Sequence, residues 1–236
     1  MLPETLLKEY ADKFYGFGTW KAKIWFIGIE EAGGWSEGDV QSRLDAWRIQ
    51  KPDLADAPAF YPACGQHGWH GDHGKPQATW TQLIRMLLVA RGIPDTPEEI
   101  LRYQREKFGK SNGRECLAEL FPLPSPSITV WHYNEWSDLP QLQSRTRYQS
   151  YFMLVRAARL QQRIKQNRPK VVVFYGSSLH RIWAMVARGE WSQAINGSLM
   201  GMGRDGISFY VTRHPRAETD EYFREVGRFL RNRHHQ

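Results

Sequence analysis

Two short segments of this chain each place a side chain able to do acid–base chemistry directly after an apolar run. They are FIGIEEAGG (residues 26–34), with Glu30, and VTRHPRAET (residues 211–219), with His214. An unperturbed glutamate has a pKa of about 4.3 and is ionised at neutral pH, so Glu30 can orient or deprotonate a water molecule, or offset a developing positive charge. An imidazole opposite it can donate a hydrogen bond to a departing group. Glu31, one residue on, is the weaker candidate for the same task. Glu119 lies in a third apolar segment, ECLAELFPLP, where an ionised carboxylate would accept from an amine. In a fourth segment Cys64, His67, His70 and His73 recur at every third position, and four such ligands could close around zinc. The interleaved Gly65, Gly68, Gly71 and Gly74 make that stretch flexible, and it lacks the long insert that separates standard ligand pairs. The competing reading is a nucleic-acid-facing loop in which Phe60, Tyr61 or Trp69 stacks on a base. We assign no metal and no cofactor.

The elements that must hold these groups follow from periodicity. Apolar runs at 24–29, 115–121, 170–175 and 207–212 read as strands. Helical spacing marks 3–14, 39–50, the stretch from Thr79 to Gly92, 145–166, 178–188 and 219–231. A further helix begins at Thr96-Pro97-Glu98-Glu99, where Thr caps, Pro takes the first turn and the acids favour the dipole. Strands alternating with long helices predict an α/β three-layer sandwich around a central, mainly parallel four-stranded sheet. In such sheets ligand chemistry gathers beyond the carboxyl ends of the strands, where Glu30, Glu119 and His214 all fall. No spacer divides the chain, so residues 1–236 are expected to form one domain, with a long insertion loop over 31–76.

Composition bounds the rest. The 236 residues carry 32 Lys+Arg against 25 Asp+Glu, a formal charge of +7, which favours an acidic partner such as nucleic acid. No apolar run approaches the roughly 20 residues that cross a bilayer, and the first residues lack the basic-then-apolar order of a signal peptide. With two cysteines, a disulfide scaffold or a four-cysteine cluster is excluded for this chain alone. A cytoplasmic monomer is the expectation.

The order of these segments resembles the uracil-DNA glycosylase superfamily. Its first motif is a strand ending in Gly-x-acid/amide, matched by Gly28-Ile29-Glu30. Its second is a His-Pro loop before the last helix, matched by His214-Pro215. The strand and helix at 171–183 are similar to the family's VVVxxG strand and the helix that follows it. The resemblance implies a DNA N-glycosylase that flips out a nucleotide and hydrolyses its glycosidic bond, with Glu30 and His214 as the catalytic pair. It further implies that Gly28, Ile29, Phe60, Tyr61, Glu119 and Phe121 surround the base, and that Ser177, Lys75, Arg213 and Arg216 contact the DNA backbone. Glu119 falls where relatives present a base-reading asparagine, which points to an amino-bearing pyrimidine. Arg216 and Ala217 replace the apolar wedge found after the His-Pro of relatives. A modified cytosine, such as glucosylated 5-hydroxymethylcytosine of phage DNA, is the implied target. Uracil removal in base-excision repair, a non-catalytic DNA-binding relative and a zinc-dependent hydrolase remain open.

Overall fold

A computed structural model describes residues 1–193, 199–202 and 206–234. The centre of its sheet is built from the runs of highest apolar content. β2 (Ile24–Ala32), β4 (Glu115–Ser125), β5 (Val171–Tyr175) and β8 (Ser208–Thr212) are parallel neighbours in the order β4-β2-β5-β8. Every residue of β5 is buried, as a strand covered on both faces requires. Alternate side chains point to opposite layers. Phe174 stacks on Trp183 of α8 (His180–Ala187) at 4.8 Å, whereas Val173 faces Met86 of α4 (Ala78–Ala90) and Leu230 of α9 (Asp220–His234) across a shared cavity. The chain is therefore a three-layer α/β structure, as expected.

The sheet is larger than the four strands predicted. β1 (Gly16–Gly18) joins antiparallel to β4, and β7 (Leu199–Met202) antiparallel to β8. That gives six strands of three or more residues, and the two-residue β3 (Leu54–Ala55) and β6 (Ser192–Gln193) extend the two edges to eight among the described residues. The added strands are too short, or too rich in glycine, to show a period of two in the sequence. β4 also runs four residues past its predicted end, through Pro122 and Pro124. Pairing with β1 stops at Ala118, so one side of β4 is open there and a missing N–H is tolerated.

The predicted loop over 31–76 is substantially ordered. It holds α2 (Glu37–Trp47), which starts two residues before the expected position because Ser36 caps the N–H of Asp39 at 3.1 Å. It also holds α3 (Ala57–Ala63), which two prolines had hidden. Thr96 caps α5 (Pro97–Glu106) through the N–H of Glu99, as predicted. Among the described residues no helix is long and apolar enough to cross a membrane.

One buried cation ties the layers together. Arg156, on the long helix α7 (Arg145–Asn167), has no exposed surface. Its guanidinium donates to the carbonyls of Glu119 (3.0 Å) and Leu120 (2.6 Å) in β4, of Ala11 (3.0 Å) in α1 (Glu4–Lys13) and of Phe14 (2.9 Å) just beyond it. It also lies 3.8 Å from the centroid of the Tyr15 ring. Arginine suits the place because a rigid fork of five donors can serve several carbonyls at once. We expect Arg156→Leu to leave these acceptors unpaired and to lower the unfolding free energy by on the order of 4 kcal/mol, measurable by urea titration.

Candidate active site

The sheet's parallel register brings the chemistry-bearing residues to one end. Gly28 of β2 is paired with Glu119 of β4, and Tyr175, the last residue of β5, with Thr212 of β8. The Tyr175 hydroxyl donates to Glu119 Oε1 at 2.5 Å, directly over Gly28. A Cβ at position 28 would lie 2.1 Å from Glu119 Oε2 and 2.3 Å from the Tyr175 oxygen, so only glycine admits this pair. The ring of His214, in the loop after β8, has its centroid 6.3 Å from that of Tyr175. Tyr175 was not singled out from the sequence, where it is simply the end of an apolar run.

Burial sets the charge state here. Desolvation pushes the Glu119 carboxyl up to about 8, partly opposed by the Tyr175 hydrogen bond and reinforced by the charges of Glu31 and then Glu30. At neutral pH the group is mostly protonated. The sequence reading treated Glu119 as an acceptor, but a neutral carboxyl is one donor and one acceptor, the same complement as an amide edge. Its Oε2 has no partner in the described structure. For His214, burial and then the Arg216 charge hold the pKa below the ordinary value, so the ring is neutral. Nδ1 accepts the Arg216 N–H at 3.2 Å, which leaves the proton on Nε2 as a donor.

Glu30 and Glu31, adjacent on β2, take different partners, as alternation along a strand dictates. Glu30 is 8% exposed, and its Oε1 accepts from Arg145 at 2.5 Å. Desolvation raises its pKa against the pull of Arg145, and its Oε2 is buried without a partner. A lone pair so placed is normally met by ordered water or substrate. Glu31 Oε1 is engaged twice, by Arg43 of α2 at 2.9 Å and by the Tyr61 hydroxyl at 2.7 Å.

Other residues predicted for the site fall elsewhere. Phe60 is a core ring, stacked on Phe14 at 5.5 Å and edge-on to Phe17, and its burial removes it as a platform for a base. Tyr61 is likewise enclosed, by Phe17, His70 and Trp80, and reaches the site through its hydroxyl alone. Phe121 is paired in register with Glu30 but is buried against Tyr148 of α7. The Ile29 side chain lies against Gly176, where a Cβ would stand 2.7 Å from its Cδ1. Of the cationic candidates, Arg213 is exposed and bound to Glu218 at 2.5 Å, while Arg216 and Lys75 are exposed. Ser177 is half-buried next to β5.

The Cys/His stretch divides by burial. His67 and His73 are exposed, whereas Cys64 and His70 are buried, and burial pushes the Cys64 thiol up to about 12. Among the described residues no group of three or more His, Cys, Asp or Glu side chains is placed to hold a metal. His70 sits between Tyr61 and Trp80 with both ring nitrogens unpartnered.

The chain matches no protein-family model and no curated protein.

Two pH signatures follow. Glu119 keeps its proton in the folded chain up to about pH 8, while the unfolded chain releases it near pH 4.3. Stability from this group is therefore full below the lower value and is lost as pH rises toward the upper one. Glu119→Gln should gain on the wild type between pH 5 and pH 8 in urea unfolding. For His70 the sign reverses. Burial pushes its pKa down to about 4, so stability is lost as pH falls from the ordinary range near 6.5 toward that value. His70→Phe should abolish this acid-side loss, read as melting temperature at pH 4.5 and pH 7.

Proposed function

We propose that the chain is a DNA N-glycosylase of the uracil-DNA glycosylase type, which everts a pyrimidine nucleotide and hydrolyses the bond between deoxyribose C1′ and base N1. The observation that carries this reading is the meeting of Glu119, Tyr175 and His214, with the buried carboxylate of Glu30 two residues along β2 from Gly28, toward the carboxyl-terminal side of the parallel strands. The C1′–N1 bond breaks with its electron pair passing to the base. A water oxygen bonds to C1′, and its proton goes to Glu30. His214 Nε2–H donates to the base O2 as negative charge develops there. Glu119 and Tyr175 read the base edge. As a neutral acid Glu119 complements N3 and N4 of cytosine, and with its roles exchanged the N3–H and O4 of uracil.

The target we infer is a modified pyrimidine, glucosylated 5-hydroxymethylcytosine of phage DNA in the first instance, and uracil in the alternative. The cations in place of the family's wedge favour the former, whereas Glu119 as a neutral acid suits either base. A second reading of the catalytic acid is supported by one observation. The charge of Glu31 acts on Glu119 ahead of that of Glu30 and also acts on Tyr175, so Glu31 is the second candidate for the catalytic carboxylate.

Base release is to be measured on phage DNA carrying the glucosylated base, on uracil-containing DNA and on unmodified DNA, with and without chelator. The expected result is chelator-insensitive release from one modified substrate, reduced about 10²–10⁴-fold by Glu30→Gln and strongly by His214→Ala. A loss confined to Glu31→Gln transfers the role to Glu31. DNA binding without release from any substrate leaves the non-catalytic reading standing.

A further inference from the structure

The site is rimmed by two large apolar side chains that the fold does not bury. Ile128 is 79% exposed, in the loop after β4, and Trp35 is 68% exposed, in the loop after β2. The two loops leave neighbouring strands whose last pair is Ala32 with Ser125, at the end of the sheet that carries Glu30. Single exposed apolar residues are ordinary on a protein surface. Ile128 differs in how its loop is held.

Ser125 Oγ lies 2.9 Å from the carbonyls of both Ser127 and Val130, closing the loop beneath Ile128. The Thr129 N–H donates to Ser127 Oγ at 3.3 Å. Arg145, the first residue of α7, donates through Nη1 to Ser125 Oγ at 2.9 Å and to the Ser127 and Val130 carbonyls at 3.3 and 3.4 Å. Its Nη2 binds Glu30, and its guanidinium carbon stands 5.7 Å from the Trp131 ring centroid. One cation thus fixes the loop and the carboxylate together. A loop pinned at both ends by hydrogen bonds, with an exposed isoleucine at its tip, fits a groove of stacked bases. Inserted between base steps, apolar side chains of this kind unstack them.

We propose that Ile128 is the wedge that enters the base stack and holds the space vacated by the everted nucleotide, with Arg145 as the positioning residue that keeps wedge and Glu30 in fixed relation. The proposal rests on the glycosylase reading and moves the wedge from the loop after β8, which offers Arg216 and Ala217, to the loop after β4.

The test compares wild type, Ile128→Ala and Trp35→Ala on the same target base in single-stranded and duplex DNA, with 2-aminopurine next to the target to report unstacking. Ile128→Ala should lower excision from duplex by at least about tenfold, from the methylenes removed, and leave excision from single strands within about twofold. It should also lose the rise in 2-aminopurine fluorescence that the wild type produces on binding duplex. An unchanged duplex-to-single-strand ratio with an unchanged fluorescence rise overturns the assignment, as does a duplex-specific loss in Trp35→Ala alone. Wild type inactive on both forms, with no fluorescence rise, overturns the glycosylase reading itself. A fluorescence rise without excision, lost in Ile128→Ala, keeps the wedge and removes only the chemistry.

Discussion

The guanidinium of Arg156 is the contact on which the arrangement of the molecule rests. It is buried with four backbone carbonyls from α1, its following turn and β4 gathered around it. A buried cation is costly unless its donors are satisfied, and here four main-chain carbonyls accept from it. Two of those carbonyls belong to Glu119 and Leu120. The cation that joins the layers therefore also fixes the backbone from which the base-reading candidate projects.

Charge buried at one end of a parallel sheet is the second constraint. The charges of Glu31 and Glu30 add to the burial that raises the proton affinity of Glu119, and the fold gives each of the three acids a different partner. Glu30 is given Arg145, and Glu31 is given Arg43 with Tyr61, while Glu119 is given a neutral hydroxyl and keeps its proton. Three chemically identical side chains thus become an ion-paired carboxylate with one free oxygen, a doubly bound carboxylate and a neutral acid. Separation of function by environment is the usual way one residue type serves several roles in a site. Arg145 comes from α7 and Arg43 from α2, so neighbouring acids of β2 are served by cations from two different helices.

How much could be read in advance depended on the range of the forces involved. The central strands at 24–29 and 171–175 and the caps at Thr96 and Ser36 are local matters of periodicity and first-turn chemistry, and these were legible or nearly so. His214 follows the end of β8 as that reading placed it, whereas Glu30 lies within β2 and Glu119 midway along β4, because both strands run on past their predicted ends. Phe60 and Tyr61 were not legible, because an aromatic ring has the same sequence signature whether it lines a pocket or fills a core. Only the neighbours Phe14, Phe17 and Trp80 decide between the two. Tyr175 escaped notice for the opposite reason, since its hydroxyl acquires meaning only when Glu119 arrives from another strand.

By itself the sequence determined an α/β chain with a parallel centre, an excess of basic residues, and an imidazole just after its last central strand. Those properties are written in residue type and spacing. The tertiary structure alone decided that Glu119 is a neutral acid, that Tyr175 is its partner, that Arg145 clasps Glu30, and that an isoleucine at the site's rim is left exposed. Proton affinity, pairing and exposure depend on the distances between residues far apart in the chain and on the water excluded between them, and neither quantity exists until the layers close.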